Sequence, residues 1–126
     1  MPPITRKKVL LVEDDETTYK VLTVILEKGG FEVFHAMAGG KALDIAAQQK
    51  PSLILLDLIL PGFSGLDLLA TLKKNPDTAA IPVVILSQLS DQDSISRGIA
   101  LGAMGYLVKS EYQLEDILQK VKEILK

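Results

Sequence analysis

Four short polar groups stand out because each follows an apolar run: Glu13-Asp14-Asp15-Glu16 after KKVLLV, Asp57 after LILL, Ser87 after PVVIL and Lys109 after YLV. Carboxylates gathered beside a lysine and a hydroxyl suit phosphoryl transfer. An aspartate can attack phosphorus as a nucleophile. Lysine supplies a point charge to one phosphoryl oxygen, and a serine hydroxyl can donate to another. Three carboxylates in one pocket repel unless a cation joins them. An all-oxygen set suits Mg2+, with Mn2+ as the alternative, and the metal would neutralise charge on the transferred group.

Each group also has an ordinary explanation. An acidic run at a helix start is favoured by the helix dipole and by capping. Asp57 could be a satisfied turn residue, Ser87 could merely end a strand, and lysine is usually solvated. Singly they say little; their shared position at strand ends is what carries weight.

The elements that would position them follow from the hydrophobic pattern. Strands are expected at Lys7 to Val12, Glu32 to Ala36, Leu53 to Leu56, Pro82 to Leu86 and Tyr106 to Val108. The third, SLILLDLILP, is apolar on both faces until Asp57, as in a strand covered on both sides, and a turn is marked by Pro61 and Gly62. Helices are expected over Thr17 to Lys28, Gly40 to Gln49, Ser64 to Lys74, Ser90 to Leu101 and Tyr112 to Leu125. Capping boxes are read at Ser64 with Asp67 and at Ser90 with Asp93, and Ser110 with Gln113 is read as the last cap. Alternating strands and helices predict a doubly wound α/β fold with a five-stranded parallel sheet in the order 2-1-3-4-5 and helices on both faces. All strands of such a sheet end along one edge, where ligands bind, so groups distant in sequence can meet there.

The 126 residues predict one domain, with a core of about 7–125 and an N-terminal extension of 1–6. The chain runs out at the last helix, so no output domain is expected in it. A hydrophobic share of 48%, with no cysteine and no bilayer-length apolar run, argues against disorder, thiolate metal sites and a membrane span. No signal peptide is read at MPPITRKK, so the cytoplasm is expected, and a net charge of −2 gives no pull toward nucleic acid or membrane. Lone His35 has no nitrogen or sulfur companion, and a surface or satisfied residue is the expectation.

The stretches VLLVEDD, LLDLILPGFSG, PVVILS and GAMGYLVK together resemble the receiver domains of two-component response regulators, over about Lys7 to Leu125. The resemblance implies a flavodoxin-like fold and a phosphoacceptor, Asp57, modified from a partner histidine kinase or phosphotransfer protein. Mg2+ would be held by Asp14 and Asp57 directly, by Glu13 through water and by the Ile59 backbone carbonyl, with Asp15 beside the site or capping the first helix. Ser87 matches the switch hydroxyl, Lys109 the phosphate-binding lysine and Tyr106 the aromatic that turns inward on phosphorylation. The output surface would be the fourth helix, fifth strand and fifth helix, and the chain would be a monomer or a weak phosphorylation-dependent homodimer. It would be a self-modifying switch rather than an enzyme on external substrates. A phosphorylation-independent adaptor is the alternative, although such proteins typically lose an acid, the acceptor or the lysine. An Asp-dependent phosphatase would want an aspartate where Ile59 stands.

Three departures from the family pattern are visible. Ser110 replaces the usual proline, so a trans bond is expected after Lys109. Gln88 replaces a small residue and would narrow access to the site. Ile59 and Leu89 are apolar where the family can guide water, which predicts slow loss of the phosphoryl group.

Overall fold

The computed structural model describes residues 6–60 and 62–126; Pro61 and the segment 1–5 of the expected extension lie outside them. Five parallel strands, β1 (Lys8–Val12), β2 (Glu32–Ala36), β3 (Leu53–Leu56), β6 (Val83–Ser87) and β7 (Gly105–Val108), form one sheet in the order β2-β1-β3-β6-β7. Counting only these strands gives 2-1-3-4-5, the flavodoxin-like order that was expected. Between them run α1 (Glu16–Lys28), α2 (Gly39–Gln49), α3 (Gly65–Lys74), α4 (Gln92–Ala100) and α5 (Leu114–Ile124).

The strand alternation explains the two layers. Leu10, Val12, Ile54, Leu56 and Ile85 share one core cluster with residues of α2 and α3, including Ala42, Ala46, Leu68 and Leu72. Val9, Leu11, Leu55, Val84 and Leu86 point the other way and pack with Leu22 and Leu26 of α1 and Ile117 and Val121 of α5. Period-two backbone geometry sends neighbours to opposite faces, so a strand apolar throughout must be covered twice. Each fully buried leucine contributes about 1.5–3 kcal/mol relative to exposure. β2 and β7 sit at the sheet edges and are only partly buried along most of their length. Among the described residues, no helix is long and apolar enough to cross a membrane.

Three helix caps need correction, and the turn after Asp57 holds more structure than was expected. β3 stops at Leu56, just before Asp57 as expected, but where only a turn was read a small antiparallel hairpin of β4 (Ile59–Leu60) and β5 (Phe63–Ser64) follows. Gly62, at φ +63, supplies the left-handed turn residue between them. Ser64 does precede α3, but its side chain makes no capping hydrogen bond. The cap of α4 is Asp91 rather than Ser90; its carboxylate accepts from Ser94 N at 3.0 Å. The cap of α5 is Gln113, boxed with Asp116, and Ser110 lies instead in a 3-10 turn, Lys109–Glu111, so the helix begins at Leu114. Among the described residues there is no cis peptide bond, so the bond after Lys109 is trans as expected.

Candidate functional site

Strand register brings the polar groups to one edge. Val12 pairs with Leu56, Leu56 with Ile85, and Ser87 with Val108. The residues that follow, Glu13, Asp57 and Lys109, therefore leave the sheet side by side. Asp57 N donates to Val12 O and Glu13 N to Ala36 O, each at 3.0 Å, which ties both acids to neighbouring strands.

Oxygen atoms of Glu13, Asp14 and Asp57 all lie within 4.8 Å of one another. Two carboxylate charges at that separation repel by roughly 3–4 kcal/mol at an effective dielectric of 20. Lys109 offsets part of this: its Nζ lies 2.5 Å from Glu13 Oε2 and 3.1 Å from Asp57 Oδ2. One cation against three acids leaves the cluster two charges negative, and its donors are all oxygen. A divalent hard cation fits that deficit and that donor set.

Burial sets the electrostatics. Glu13 is 1% exposed and Asp57 6%, whereas Asp14 is the most open of the three acids. Burial pushes the Glu13 carboxyl above its ordinary value, and the hydrogen bond from Lys109 only partly opposes this. Burial alone would lower the Lys109 ammonium, but Glu13 and Asp57 outweigh it and raise it, so Lys109 is charged at neutral pH.

The remaining partners fix orientation. Asp57 Oδ1 accepts from Ile59 N at 3.2 Å, so the turn contact considered for this residue exists alongside its lysine contact. Asp15 also borders the cleft, but its carboxylate is engaged as the cap of α1, accepting from Thr18 N at 2.9 Å, and the clustered acids are Glu13, Asp14 and Asp57. Gly65 lets the start of α3 abut the acceptor loop: a Cβ there would lie 2.4 Å from Leu58 Cα and 2.5 Å from Asp57 O. An open cleft of about 210 Å³ lies over these groups, lined also by Thr18, Ile59 and Gln88. Thr18 has no sequence signal of its own; its hydroxyl simply follows the capping aspartate by one helical turn.

Ser87 is fully buried and is not among the residues lining the cleft; its Oγ accepts from Leu89 N at 3.2 Å. Accepting there leaves its own proton available to a further acceptor. Tyr106 is half-buried and already donates from its hydroxyl to Leu89 O at 2.6 Å, and burial holds its phenol above the ordinary value. The backbone of Leu89 is thus held at its N–H by Ser87 and at its carbonyl by Tyr106.

Comparison with known proteins agrees with this architecture. The response regulator receiver domain family matches residues 9–122, and this chain belongs to that family. It is similar to protein PilH of Pseudomonas aeruginosa, 34% identical over 118 residues that make up 94% of this chain and 97% of PilH. It spans about half the length of transcriptional regulators that it also matches. Among solved structures it resembles the Mn(2+)-bound form of response regulator Rcp1, with TM-score 0.79 and 33% identity over 94% of this chain and 91% of that one. The phosphorylated cyanobacterial phytochrome response regulator RcpA is similar to the same degree, with TM-score 0.79 and 33% identity over 95% of this chain and 91% of that one.

Proposed function

We propose that this chain is a phosphoacceptor switch in which Asp57 takes a phosphoryl group from a histidine kinase or phosphotransfer protein, or from a small phosphodonor, in the cytoplasm. One observation carries the reading: a buried aspartate shares Lys109 with Glu13 beneath an open cleft, at the sheet edge where the other acids gather. The solved relatives described as Mn(2+)-bound and as phosphorylated support it by analogy.

An Asp57 oxygen attacks phosphorus, the new O–P bond forms as the donor's N–P or O–P bond breaks, and the leaving group takes its proton from solvent. Ile59 N–H and Lys109 hold the carboxylate in place, so no orientation has to be found at the moment of reaction. Asp14 and Asp57 would hold Mg2+ directly, Glu13 through water, and the Ile59 carbonyl would complete the set; the ion's contribution is to neutralise charge on the phosphoryl oxygens. Lys109 meets a second oxygen and the Ser87 proton a third. The added charge, about −1.5 to −2, pulls Ser87 and with it the loop that Tyr106 holds at Leu89. The population then shifts toward the state that presents α4, β7 and α5 to a protein target. Ile99 of α4 and Met104, just before β7, are 47% and 59% exposed and would supply apolar contact there. The chain modifies only itself in this scheme.

Incubation with acetyl phosphate and Mg2+, followed by intact mass measurement, tests this. A gain of one phosphoryl group that requires both Mg2+ and Asp57 is expected; no gain in the wild type contradicts it and favours the adaptor. The aspartyl phosphate is also expected to be long-lived, because Ile59, 56% exposed, and Gln88 line the cleft through which water must come. Ile59→Asn, which offers water a hydrogen-bonding partner, is expected to shorten the lifetime about tenfold, less than the roughly 10²–10⁴-fold of full acid–base assistance because an amide only orients the water. A decay rate unchanged in I59N counts against that role.

A further inference from the structure

The sequence gives His35 no chemical task, and the site described above does not use it, yet it touches the metal-binding acids through the backbone. His35 Nε2 lies 2.7 Å from Glu13 O. A carbonyl can only accept, so Nε2 carries the proton and donates. Neutral and protonated imidazole both meet this requirement, and the contact does not depend on the ring's charge. The other side of the arrangement is equally defined: the His35 ring stacks on Tyr19 of α1, centroids 3.6 Å apart and planes within 5°.

The consequence falls on Asp14. Glu13 O belongs to the peptide that joins Glu13 to Asp14, and that unit is planar, so fixing the oxygen fixes the plane that carries the Asp14 N–H and Cα. Glu13 N is held at the same time by Ala36 O. The last two residues of β2 thus grip Glu13 at both its amide and its carbonyl. Asp14 is the most open of the three acids, and among the described residues no hydrogen bond holds its carboxylate. With no such partner, its approach to Asp57 depends on where the backbone places its Cα.

We propose that His35 is a positioning residue for divalent-cation binding: clamped by Tyr19, it holds the Glu13–Asp14 peptide so that the Asp14 carboxylate faces Asp57. This rests on the reading of Glu13, Asp14 and Asp57 as the metal site. Partners that orient ligands from behind commonly alter metal affinity about 10–100-fold when lost. Because this one acts through a peptide plane, the low end applies, about tenfold.

Calorimetric titration with MgCl2, paired with melting in EDTA, tests it on the whole chain. His35→Phe keeps a stacking ring and removes the donor. Its Mg2+ affinity is expected to fall about tenfold with melting in EDTA little changed, while His35→Gln, which restores an N–H donor, recovers most of the loss. Wild-type affinity in H35F overturns the proposal. Equal losses in H35F and H35Q, tracking melting, also overturn it, since packing alone would then explain them. Asp14→Asn separates the two levels: if wild type binds Mg2+ and D14N binds it as tightly, the metal-site reading fails and this one with it. Should H35F not fold, imidazole NMR of the wild type decides the matter. The Nε2 proton is expected to shift along the same Mg2+ titration curve, and a signal unmoved by Mg2+ overturns the proposal.

Discussion

Lys109→Met is expected to lower the rate of phosphorylation from a small donor by about 10²–10³, the loss typical when one fixed charge facing a transition state is removed. Methionine keeps much of the apolar stem and removes only the ammonium. The same substitution bears on stability. Lys109 is the partner of two buried carboxylates, and among the described residues no other cation forms a salt bridge with them. Removing one member of a buried set leaves uncompensated charge, which costs on the order of 3–5 kcal/mol. In EDTA the variant is therefore expected to melt well below wild type and to gain more than wild type when Mg2+ is added, because the ion replaces the missing charge. The pH dependence has a definite sign. Glu13 already titrates above the ordinary carboxyl value of 4.5, so the folded state holds more protons than the unfolded one, and stability falls as pH rises through that window. Without Lys109 to oppose the shift, the window widens upward, and the deficit of K109M shrinks as pH is lowered toward it. Urea unfolding at several pH values, with and without Mg2+, checks all three expectations.

Gly65→Ala is expected to be the most damaging change of a single methyl group in the chain's functional half. The added carbon would meet Leu58 Cα and the Asp57 carbonyl, both main-chain atoms that no rotamer change can move. Overpacking usually costs 1–3 kcal/mol, and with backbone on both sides the loss should reach about 3 kcal/mol. The displaced segment is the acceptor itself, so the folded fraction should phosphorylate about 10²-fold more slowly, as expected for a misplacement near 1 Å. Gly40→Ala is the control. Nothing lies within 4 Å of its Cβ position, and it sits in α2, where alanine is preferred by about 0.5–1 kcal/mol. Wild-type activity and stability in G65A would mean that α3 does not fix the acceptor loop.

How much of this could be read in the residues depended on whether one element decided the outcome. The sheet was legible because LILL and VVIL are apolar on both faces, and polar residues that end parallel strands must share an edge. Glu13, Asp14, Asp57 and Lys109 meet for that reason alone. The caps were less legible. Ser90 and Asp91 are adjacent candidates of the same kind, and only three-dimensional reach to Ser94 N separates them. Glutamine is a poor cap by type, so Gln113 was passed over for Ser110, and only the box with Asp116 makes it effective. The β4–β5 hairpin is two residues per strand, too short for any periodicity to show. His35 is the satisfied residue that was expected, but its partner could not be read, because a backbone carbonyl has no signature in sequence.

The central claim is that one particular carboxylate, among several acids at this edge, carries the phosphoryl group. Borohydride converts an acyl phosphate to the alcohol, so an aspartyl phosphate is recorded permanently as homoserine. Phosphorylating the chain, reducing it and sequencing the peptides by mass spectrometry should place homoserine at position 57 and nowhere else. Homoserine at 14 or 15, or a phosphoryl group that borohydride cannot remove, would contradict the account.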